Sequence, residues 1–481
     1  MFDVNSIRNP RRPLLNILSR EELDELHYAS LEVLEKTGLN IGHPEAVALL
    51  SDAGAMVDSD GKRVRIPSNL VKQALHTAPS RVALVGRTGQ QRLFLEDKRS
   101  YFGTGSDLEY TIDLESGEKR LSVLADIERA ALLTDALPNY DFIMCHGLAS
   151  DVPVEMTEIM QLEAMIRNSS KPMLLTSFSE KAILQATYEM ACVVRGGEAE
   201  LRKDPYFVLY GQFISPFEHD RVSVERLLFC AEKHIPITYI PTIMAGASGP
   251  VTFAGSLVVA NVECLAGLII HQLKQPGAPF IYGGCVNPFD MRNMCIAYGA
   301  PEWRLTDAAL SQLSRRYDLP VFGTAGCTDS KIVDEQAALE GAFSIVLTAL
   351  SGTNLIHDVS YLQSGLCGSP DFTVMCDEMI GMTRRILQGI EVNSETLALD
   401  VINAVGPGRD FTAEEHTMKH FKSQAWYPGL LDRKSSEAWE KAGSTTLRRR
   451  CVAKARDILA THAVDPLSKE QTAEIQAILT H

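Results

Sequence analysis

The stretch that most constrains the fold is residues 320–365, where two short apolar segments flank a longer one. The short segments, PVFGT and TNLIHDV, are typical of buried strands, and each leads into a polar loop. Between them, apolar residues recur three and four apart, which predicts a helix whose apolar stripe faces the core: Leu339, Ala342, Phe343, Val346, Leu347 and Leu350. A strand–helix–strand unit of this length requires a parallel, right-handed crossover. The loops after both strands should therefore share one rim.

The same alternation of strand-like and helix-like segments extends back to residue 101. The predicted strands are residues 101–104, 142–145, 173–177, 207–212, 237–241, 280–284, 321–324 and 354–358. Eight strands that alternate with helices indicate an α/β protein built as a (β/α)8 TIM barrel. A doubly wound open sheet is the competing architecture, but no G-x-G-x-x-G follows the first predicted strand.

At 481 residues the chain is longer than a barrel requires, so we expect additions at both ends. Residues 1–95 should form an N-terminal α+β cap, whose first helix begins at a capping box from Ser19 to Glu22 and which contains a hairpin turn at 59–62. The barrel should occupy residues 96–365, and residues 366–481 should form a C-terminal helical extension. Helices outside a barrel often serve as subunit contacts, so a homo-oligomer is one of the alternatives for the oligomeric state.

Charge and cysteine usage limit the partners and the compartment. A formal net charge of −15 argues against nucleic acid, because phosphate binding needs clustered Lys and Arg. Ten cysteines without a Cys-x-x-Cys pair indicate free thiols and a reducing compartment. The opening residues lack the apolar core of a secretory signal, and the longest apolar stretch, 251–270, contains Asn261 and Glu263 and is expected to be too polar to span a bilayer. We therefore predict a cytoplasmic protein that does not bind a membrane.

Two polar residues near predicted strand ends are the candidate catalytic groups. His357 ends the last predicted strand beside Asp358, where a polar pair faces a ligand cavity rather than the core. Asp107 follows Gly103 and Gly105, which let the backbone approach a ligand, and its carboxylate could lie beside a cation. The alternatives are a histidine that hydrogen-bonds a loop and an aspartate that caps a turn.

Aromatic and amide side chains near strand ends are the candidate binding groups. Rings that surround a quaternary ammonium bind it by cation–π attraction, worth ~0.5–2 kcal/mol each, although any single ring is more often part of a core. The aromatic candidates are Tyr101, Phe102, Tyr110, Phe213, Tyr282, Phe289 and Tyr361. Gln212 and Asn287 could orient a ligand carboxylate.

No metal site is predicted. His416 and His420 are spaced i, i+4 in a predicted helix, but no Glu completes an H-E-x-x-H motif and no third ligand lies nearby in the sequence. Cys285, Cys295 and Cys327 lie in or near strand-end loops without the spacing of a zinc site. Walker, Rossmann and nucleophile-elbow motifs are also absent from the sequence. The residues alone thus indicate a barrel enzyme with an acidic, aromatic rim.

Five segments, in order, resemble the trimethylamine methyltransferase (MttB) superfamily: YFGTGSD, VTFAGSLVVANVECLAG, IYGGCVNPFDMR, TDSKIVDEQAALEG and IHDVSYLQSGL. The resemblance covers nearly the whole chain and implies a (β/α)8 barrel that transfers a methyl group from a methylated amine to the cobalt of a separate corrinoid protein. Trimethylamine members carry pyrrolysine. This chain has only standard residues, so it resembles the branch without pyrrolysine, which demethylates quaternary amines such as glycine betaine, proline betaine and carnitine.

On this resemblance we expect the chain to convert glycine betaine to dimethylglycine. Asp107 and the rings of Tyr101, Phe102, Phe213 and Tyr361 would hold the ammonium group, while His357 and Gln212 would bind the carboxylate. The chain has no D-x-H-x-x-G cobalamin motif, so it should bind no cofactor itself and should receive the corrinoid on a partner protein that docks over the rim.

Three alternatives remain. The same reaction could act on proline betaine or carnitine, or the chain could be a betaine-binding protein without catalysis. An unrelated barrel enzyme could instead bind a sugar phosphate, with the residues Gly323 to Gly326 as a weak phosphate loop.

Overall fold

The computed structural model describes residues 11–59, 61–177 and 181–480. The described residues do not include 1–10, which carry most of the argument about a secretory signal. They also do not include Asp60, which lies in the predicted 59–62 turn. The N-terminal elements are α1 (Arg20–Lys36), β1 (Leu39–Ile41), α2 (Pro44–Asp52), β2 (Met56–Val57), β3 (Arg63–Arg65), α3 (Ser68–Thr77), β4 (Val82–Val85) and β5 (Arg92–Leu95).

The predicted start of α1 and the predicted hairpin are confirmed. The Ser19 hydroxyl accepts a hydrogen bond from the backbone N–H of Glu22, and the Glu22 carboxylate accepts one from the N–H of Ser19. Strands β2 and β3 pair antiparallel on either side of the turn. Strands β4 and β5 form a second antiparallel pair.

The middle of the chain alternates between strands and helices. Its elements are β6 (Tyr101–Thr104), β7 (Tyr110–Ile112), β8 (Lys119–Leu121), α4 (Leu124–Ala136), α5 (Thr157–Asn168), β9 (Met173–Thr176), α6 (Lys181–Arg195), α7 (Glu198–Lys203), β10 (Phe207–Gln212), β11 (Glu218–His219), α8 (Arg221–Lys233), β12 (Ile237–Ile240), β13 (Thr242–Ala245), α9 (Phe253–Lys274), β14 (Phe280–Gly283), β15 (Cys285–Asp290), β16 (Cys295–Ile296), α10 (Pro301–Tyr317), β17 (Val321–Thr324), α11 (Glu335–Leu350) and β18 (Leu355–Val359).

Seven strands form one parallel sheet in the order β6-β18-β17-β14-β12-β10-β9. The first of these strands in the chain pairs with the last, and the order has no reversal point, which excludes a doubly wound sheet. The eighth predicted strand is represented by two residues: Phe142 bridges Gly103 on β6, and Ile143 bridges Met173 on β9. The parallel α/β architecture is therefore confirmed, with single bridges where the eighth strand was predicted.

Two short strands, β13 and β15, lie beyond the carboxyl ends of this sheet and extend it on that side. β13 and β15 continue the chain directly beyond β12 and β14 and pair with each other in parallel, and β16 adds an antiparallel edge. The prediction did not include this second layer, which lifts residues such as Asn287 above the strand ends.

The helix α11 forms as predicted, but the predicted inward stripe is only partly confirmed: Ala342 and Leu350 are half-buried against the core, while two other members face solvent. Leu339 is 71% exposed and Phe343 is 45% exposed. The fully buried residues are Ile345 and five smaller ones: Ala337, Gly341, Ser344, Thr348 and Ala349. Small side chains let the helix approach β17 and β18 closely, and this close packing takes precedence over the apolar periodicity.

The expectation that residues 251–270 are too polar for a bilayer is also wrong by composition. Helix α9 is long and apolar enough to cross a membrane, with a mean hydropathy of 2.0. However, 78% of that apolar window is buried against the rest of the fold, where α9 packs on α1, α3 and α8. A core helix that is covered on every side needs no polar face.

The C-terminal part is helical, as predicted. Its elements are β19 (Cys367–Gly368), α12 (Pro370–Leu387), α13 (Ser394–Leu397), α14 (Leu399–Val405), α15 (Glu415–Gln424), α16 (Ser436–Lys441), α17 (Leu447–Thr461) and α18 (Lys469–Leu479). Helix α12 packs on α11 and α4, and α17 packs on α12 and α4. The domain boundaries at 95 and 365 stay predictions.

Candidate active site

The loops that follow β17 and β18 lie side by side, as the crossover predicts. The N–H of Ser360 donates to the carbonyl of Gly326 at 3.0 Å, and the N–H of Thr328 donates to the carbonyl of Tyr361 at 2.9 Å. These bonds join the two loops into one rim.

The backbone N–H groups that a phosphate loop would need are already used in hydrogen bonds at this rim. The N–H of Ala325 donates to the carbonyl of His357, and the N–H of Gly326 donates to the Ser344 hydroxyl. Because a phosphate loop needs free backbone N–H groups, this glycine-containing loop is poorly suited to an anion.

A cavity of ≈ 230 Å³ opens at the rim. Its lining residues are Ser106, Asp107, Thr176, Tyr210, Gln212, Thr242, Cys285, Asn287, Ile296, Tyr298, Trp303, His357, Asp358, Tyr361 and Gly365. Among these described residues there is no Lys or Arg, and the acidic groups are Asp107 and Asp358. The cavity thus combines aromatic rings and carboxyl groups without a cationic side chain.

Four of the seven predicted site residues meet in this cavity: Asp107, Gln212, His357 and Tyr361. They come from four different segments, namely the loop after β6, the end of β10, β18 and the loop after β18. The Gln212 amide donates to the Thr242 hydroxyl at 3.0 Å, which fixes its orientation. Asn287, the other predicted amide, also lines the cavity.

The structure does not bring Tyr101, Phe102 and Phe213 to the cavity. Tyr101 begins β6, at the far end of the sheet, and its hydroxyl accepts the N–H of Phe94 on β5. The prediction that these residues form an ammonium cage with Tyr361 is therefore wrong in geometry, because proximity to a strand end does not fix the direction of a side chain.

Strand alternation explains the other two positions. Phe102 points outward, where the Arg384 guanidinium lies 5.8 Å from its ring centre. Phe213 follows the inward-pointing Gln212 and therefore also points outward. Its ring stacks on His219 and Tyr239, with centroid separations of 4.5 and 4.4 Å.

A β-bulge brings two consecutive side chains of β18 to the cavity. The register between β18 and β6 shifts between Ile356 and Val359, and Asp358 adopts a left-handed backbone with φ 66°. Neighbouring residues of a regular strand would point to opposite faces, but the bulge re-aims Asp358 so that it joins His357. Asp107 is also left-handed, with φ 60°. Both carboxyl groups thus lie at strained backbone positions, which are concentrated at functional sites.

Burial makes both carboxyl groups unusually weak acids. Burial raises the pKa of Asp107 to about 6, partly offset by hydrogen bonds from Ser106 and Thr176. Burial likewise raises the pKa of Asp358 to about 8, and the negative charge of Asp107 contributes to the increase. Near neutral pH the cavity therefore holds one ionised and one protonated carboxyl group.

His357 is neutral at physiological pH, because burial lowers its pKa to about 3. Its ring stacks on Tyr210 at 5.5 Å and meets the edge of Phe322 at 4.1 Å. One ring nitrogen, Nδ1, lies 3.4 Å from the Thr324 hydroxyl, and the other, Nε2, lies 3.4 Å from Asp358 Oδ1. A neutral imidazole can donate one hydrogen bond but brings no positive charge to the cavity.

Sequence reasoning missed three of the four large rings in the lining: Tyr210, Tyr298 and Trp303. Tyr210 could have been predicted from the sequence, because it lies two residues before Gln212 on the same strand and must point to the same face. Tyr298 and Trp303 lie on the connection into α10 and in its first turn, for which no strand-end rule applies.

Tyr361 is held in place by the glycine-containing segment after β6. Its hydroxyl accepts the N–H of Ser106 at 2.6 Å and donates to the carbonyl of Ser106 at 2.5 Å. A Cβ added to Gly105 would lie 2.0 Å from the Tyr361 ring. Only glycine leaves room for this ring against the backbone.

Asn287 is the most informative polar group in the lining. It is 1% exposed, and both its Nδ2 and its Oδ1 lack a hydrogen-bond partner among the described residues. A buried amide without partners is destabilising by ~1–3 kcal/mol. Because Asn287 contributes to the lining, a ligand could complete its hydrogen bonds once the lining shifts to expose the two amide atoms, which are shielded from solvent.

Known proteins are similar to this chain over nearly its whole length. The profile of the family described as trimethylamine methyltransferase (MTTB) matches residues 3–481. A trimethylamine methyltransferase MttB of Desulfitobacterium hafniense (strain DSM 10664 / DCB-2) is 33% identical over 461 residues, which cover 96% of this chain and 92% of that protein. A glycine betaine methyltransferase of Desulfitobacterium hafniense (strain Y51) is 30% identical over 471 residues, covering 97% of each.

A solved structure shares the fold. The monomethylamine methyltransferase MtmB of Methanosarcina barkeri superposes with a TM-score of 0.53 at 14% identity, covering 93% of this chain and 88% of that one. At this identity the likeness concerns the fold alone.

Proposed function

Because the chain belongs to the trimethylamine methyltransferase (MttB) family and is therefore a methyltransferase, we propose that its methyl donor is a quaternary amine and that glycine betaine is the preferred one. The acceptor is the Co(I) centre of a separate corrinoid protein, as the family implies. The products are dimethylglycine and the methylated corrinoid protein.

The charge of the cavity is the observation that carries this proposal. Asp358 is buried and Asp107 is half-buried in the lining, four aromatic rings line the same cavity, and no Lys or Arg lines its described part. A permanently cationic nitrogen gains from both features, through Coulomb attraction to an ionised carboxylate and ~0.5–2 kcal/mol for each ring that it contacts. An anionic ligand without a cationic group would find no Lys or Arg among the described lining residues to offset these charges.

The amide side chains supply the second half of a zwitterion site. A betaine carboxylate can accept N–H bonds from Asn287 and Gln212 without the neutralising charge that a Lys or Arg would bring. His357 can add a third donor. This arrangement accounts for the partnerless amide of Asn287, because the ligand itself would complete its hydrogen bonds.

The chemistry fits a site that lacks a strong acid. When Co(I) takes the methyl group, the C–N bonding pair stays on nitrogen, and a quaternary amine departs as a neutral tertiary amine. Cobalt supplies two electrons and becomes Co(III), so no proton is transferred. The protein has only to hold the ammonium group with one methyl directed at the open rim and to exclude water.

The fold supports this geometry. We infer that the bridges at 142–143 close the sheet into a full (β/α)8 barrel, so that the cavity is a barrel mouth open only at its rim, where the corrinoid protein docks. The ten free cysteines fit a reducing, cytoplasmic location. The volume of ≈ 230 Å³ is below the ~300–1,000 Å³ of clefts for drug-sized ligands, as expected for a small amine substrate.

The test is a methyl-transfer assay with reduced corrinoid protein and a panel of amines. Glycine betaine should give the highest kcat/KM, ahead of proline betaine and carnitine, and trimethylamine should give no turnover. Turnover of trimethylamine, or of none of these amines, would contradict the proposal. Betaine binding measured by calorimetry with no methylation of cobalt would instead identify a binding protein without catalysis.

A further inference from the structure

A cluster of metal-ligand side chains lies outside the cavity, in the C-terminal extension. Glu395 belongs to α13, while His416 and His420 lie one turn apart on α15. Their ligand atoms all lie within 4.8 Å of one another. The His spacing alone suggested a surface pair because no third ligand was near in the sequence. The fold supplies that ligand from more than twenty residues away.

The contacts within the cluster already converge on Glu395. His420 Nε2 lies 3.0 Å from Glu395 Oε1, and His416 Nε2 lies 3.2 Å from the Glu395 backbone carbonyl oxygen. The two imidazole rings are 4.5 Å apart, centre to centre. Both histidines therefore direct Nε2 at Glu395, His420 at its carboxylate and His416 at its backbone carbonyl.

We propose that Glu395, His416 and His420 bind one zinc-class divalent ion that ties α15 to α13. Two imidazole nitrogens and one carboxylate form a common three-ligand zinc set, with the fourth position open to water. Zinc bonds of ~2.0–2.2 Å in tetrahedral geometry place ligand atoms ~3.3–3.5 Å apart. The three ligand atoms, which lie within 4.8 Å of one another, would have to move closer to reach that spacing.

The one competing cation can leave. Lys419 Nζ lies 2.6 Å from Glu395 Oε1, and its side chain is 62% exposed, so it can turn into water when a metal ion arrives.

The segment has a physical need for such a link. Helices α13 and α15 bury none of their residues. Large apolar side chains on this segment instead face solvent, including Leu397, Met418 and Phe421. Since little hydrophobic burial holds the segment in place, a metal ion that bridges its helices would contribute much of its local stability.

The experiment is a zinc titration of the full chain after chelator treatment, followed by calorimetry. The background carries Cys295→Ser, because Cys295 is the one exposed thiol in the described chain and could bind zinc itself. We expect one equivalent of Zn²⁺ per chain. His416→Ala, His420→Ala and Glu395→Gln should each weaken binding at least tenfold. His76→Ala, which removes an exposed histidine elsewhere, should not.

Hydrogen exchange supplies the second measurement, which does not depend on activity. Zn²⁺ should slow exchange across residues 394–424 in the parent and in His76→Ala but not in His420→Ala. The proposal is overturned if the parent binds no zinc below ~0.1 mM, if binding persists unchanged in both histidine variants, or if bound zinc leaves exchange in this segment unaltered. All the substituted side chains are partly or fully exposed, so the variants should fold.

Discussion

The second carboxyl group of the cavity should control how ligand affinity depends on pH. In the empty protein Asp358 has a pKa of about 8, so near pH 6 only ~1% of it is ionised. A bound quaternary ammonium favours the ionised form. Below pH 8, a cation that binds beside ionised Asp358 must offset the free energy of removing the proton from this side chain. If Asp358 stays protonated, the cation binds without Coulomb attraction to it.

The size of the effect follows from these quantities. A unit charge pair ~5 Å apart at an effective dielectric constant of ~20 attracts by ~3 kcal/mol. This attraction exceeds the ~2.7 kcal/mol needed to remove the proton two pH units below the pKa. Affinity for glycine betaine should therefore fall about tenfold per pH unit below pH 8, or about a hundredfold between pH 9 and pH 6.

The assay is calorimetric titration of the purified chain with glycine betaine from pH 6 to pH 9, which needs no corrinoid protein. Asp358→Asn keeps the shape of the side chain but has no proton to lose, so its affinity should be flat between pH 7 and pH 9. Asp52→Asn, which removes an exposed carboxylate, should follow the parent curve. A parent curve without slope, or a slope that survives in Asp358→Asn, would refute the assignment of the pKa and of the cation site.

Three further predictions concern single side chains. Asn287→Ala should raise KM for glycine betaine by about tenfold, since a hydrogen bond to a carboxylate is worth ~1.5–3 kcal/mol, yet leave the Kd of tetramethylammonium unchanged by calorimetry; equal losses for both ligands would contradict its role. Gly105→Ala should lower kcat/KM at least tenfold, because the added Cβ displaces the Tyr361 ring, while Gly341→Ala in α11, whose nearest contact is 3.3 Å, should retain activity. Burial raises the pKa of Glu263 from 4.5 to about 7, so the folded state holds this proton more tightly than the unfolded chain and loses stability as pH rises. Relative to Glu263→Gln, the unfolding free energy of the parent should drop by ~2.5 kcal/mol from pH 5 to pH 8 in urea titrations. Parallel curves of unfolding free energy against pH for the two proteins would rule this out.

The sequence was sufficient for the topology, because alternating strands and helices admit few arrangements. It was weaker on side-chain direction. The apolar periodicity of α11 predicted that Leu339 and Phe343 face inward, but the helix packs through glycine, serine and alanine. A periodic pattern identifies a helix more reliably than it identifies which face is buried when small residues compete for that face.

The site divides in the same way. Asp107 and His357 were predictable because glycine-rich and strand-end segments place polar groups at a barrel rim. That His357 and Asp358 both face the cavity depends on a β-bulge, which leaves no pattern in the sequence. Tyr298 and Trp303 reach the cavity from the connection into α10, and their convergence is a property of the assembled fold.

The raised pKa of Asp358 also has a consequence for the rate. As the C–N bond breaks, the positive charge on nitrogen disappears, so an ionised carboxylate beside it stabilises the bound substrate more than the transition state. A second full negative charge would therefore tighten binding and slow the chemical step. At neutral pH Asp358 must give up a proton to supply that second charge, so part of its attraction is offset and the bound substrate is stabilised less than it would be by two permanently ionised carboxylates. We expect kcat/KM to rise with pH up to about 8 while kcat stays level or falls, and an increase in kcat over the same range would show that the carboxylates act on the transition state instead.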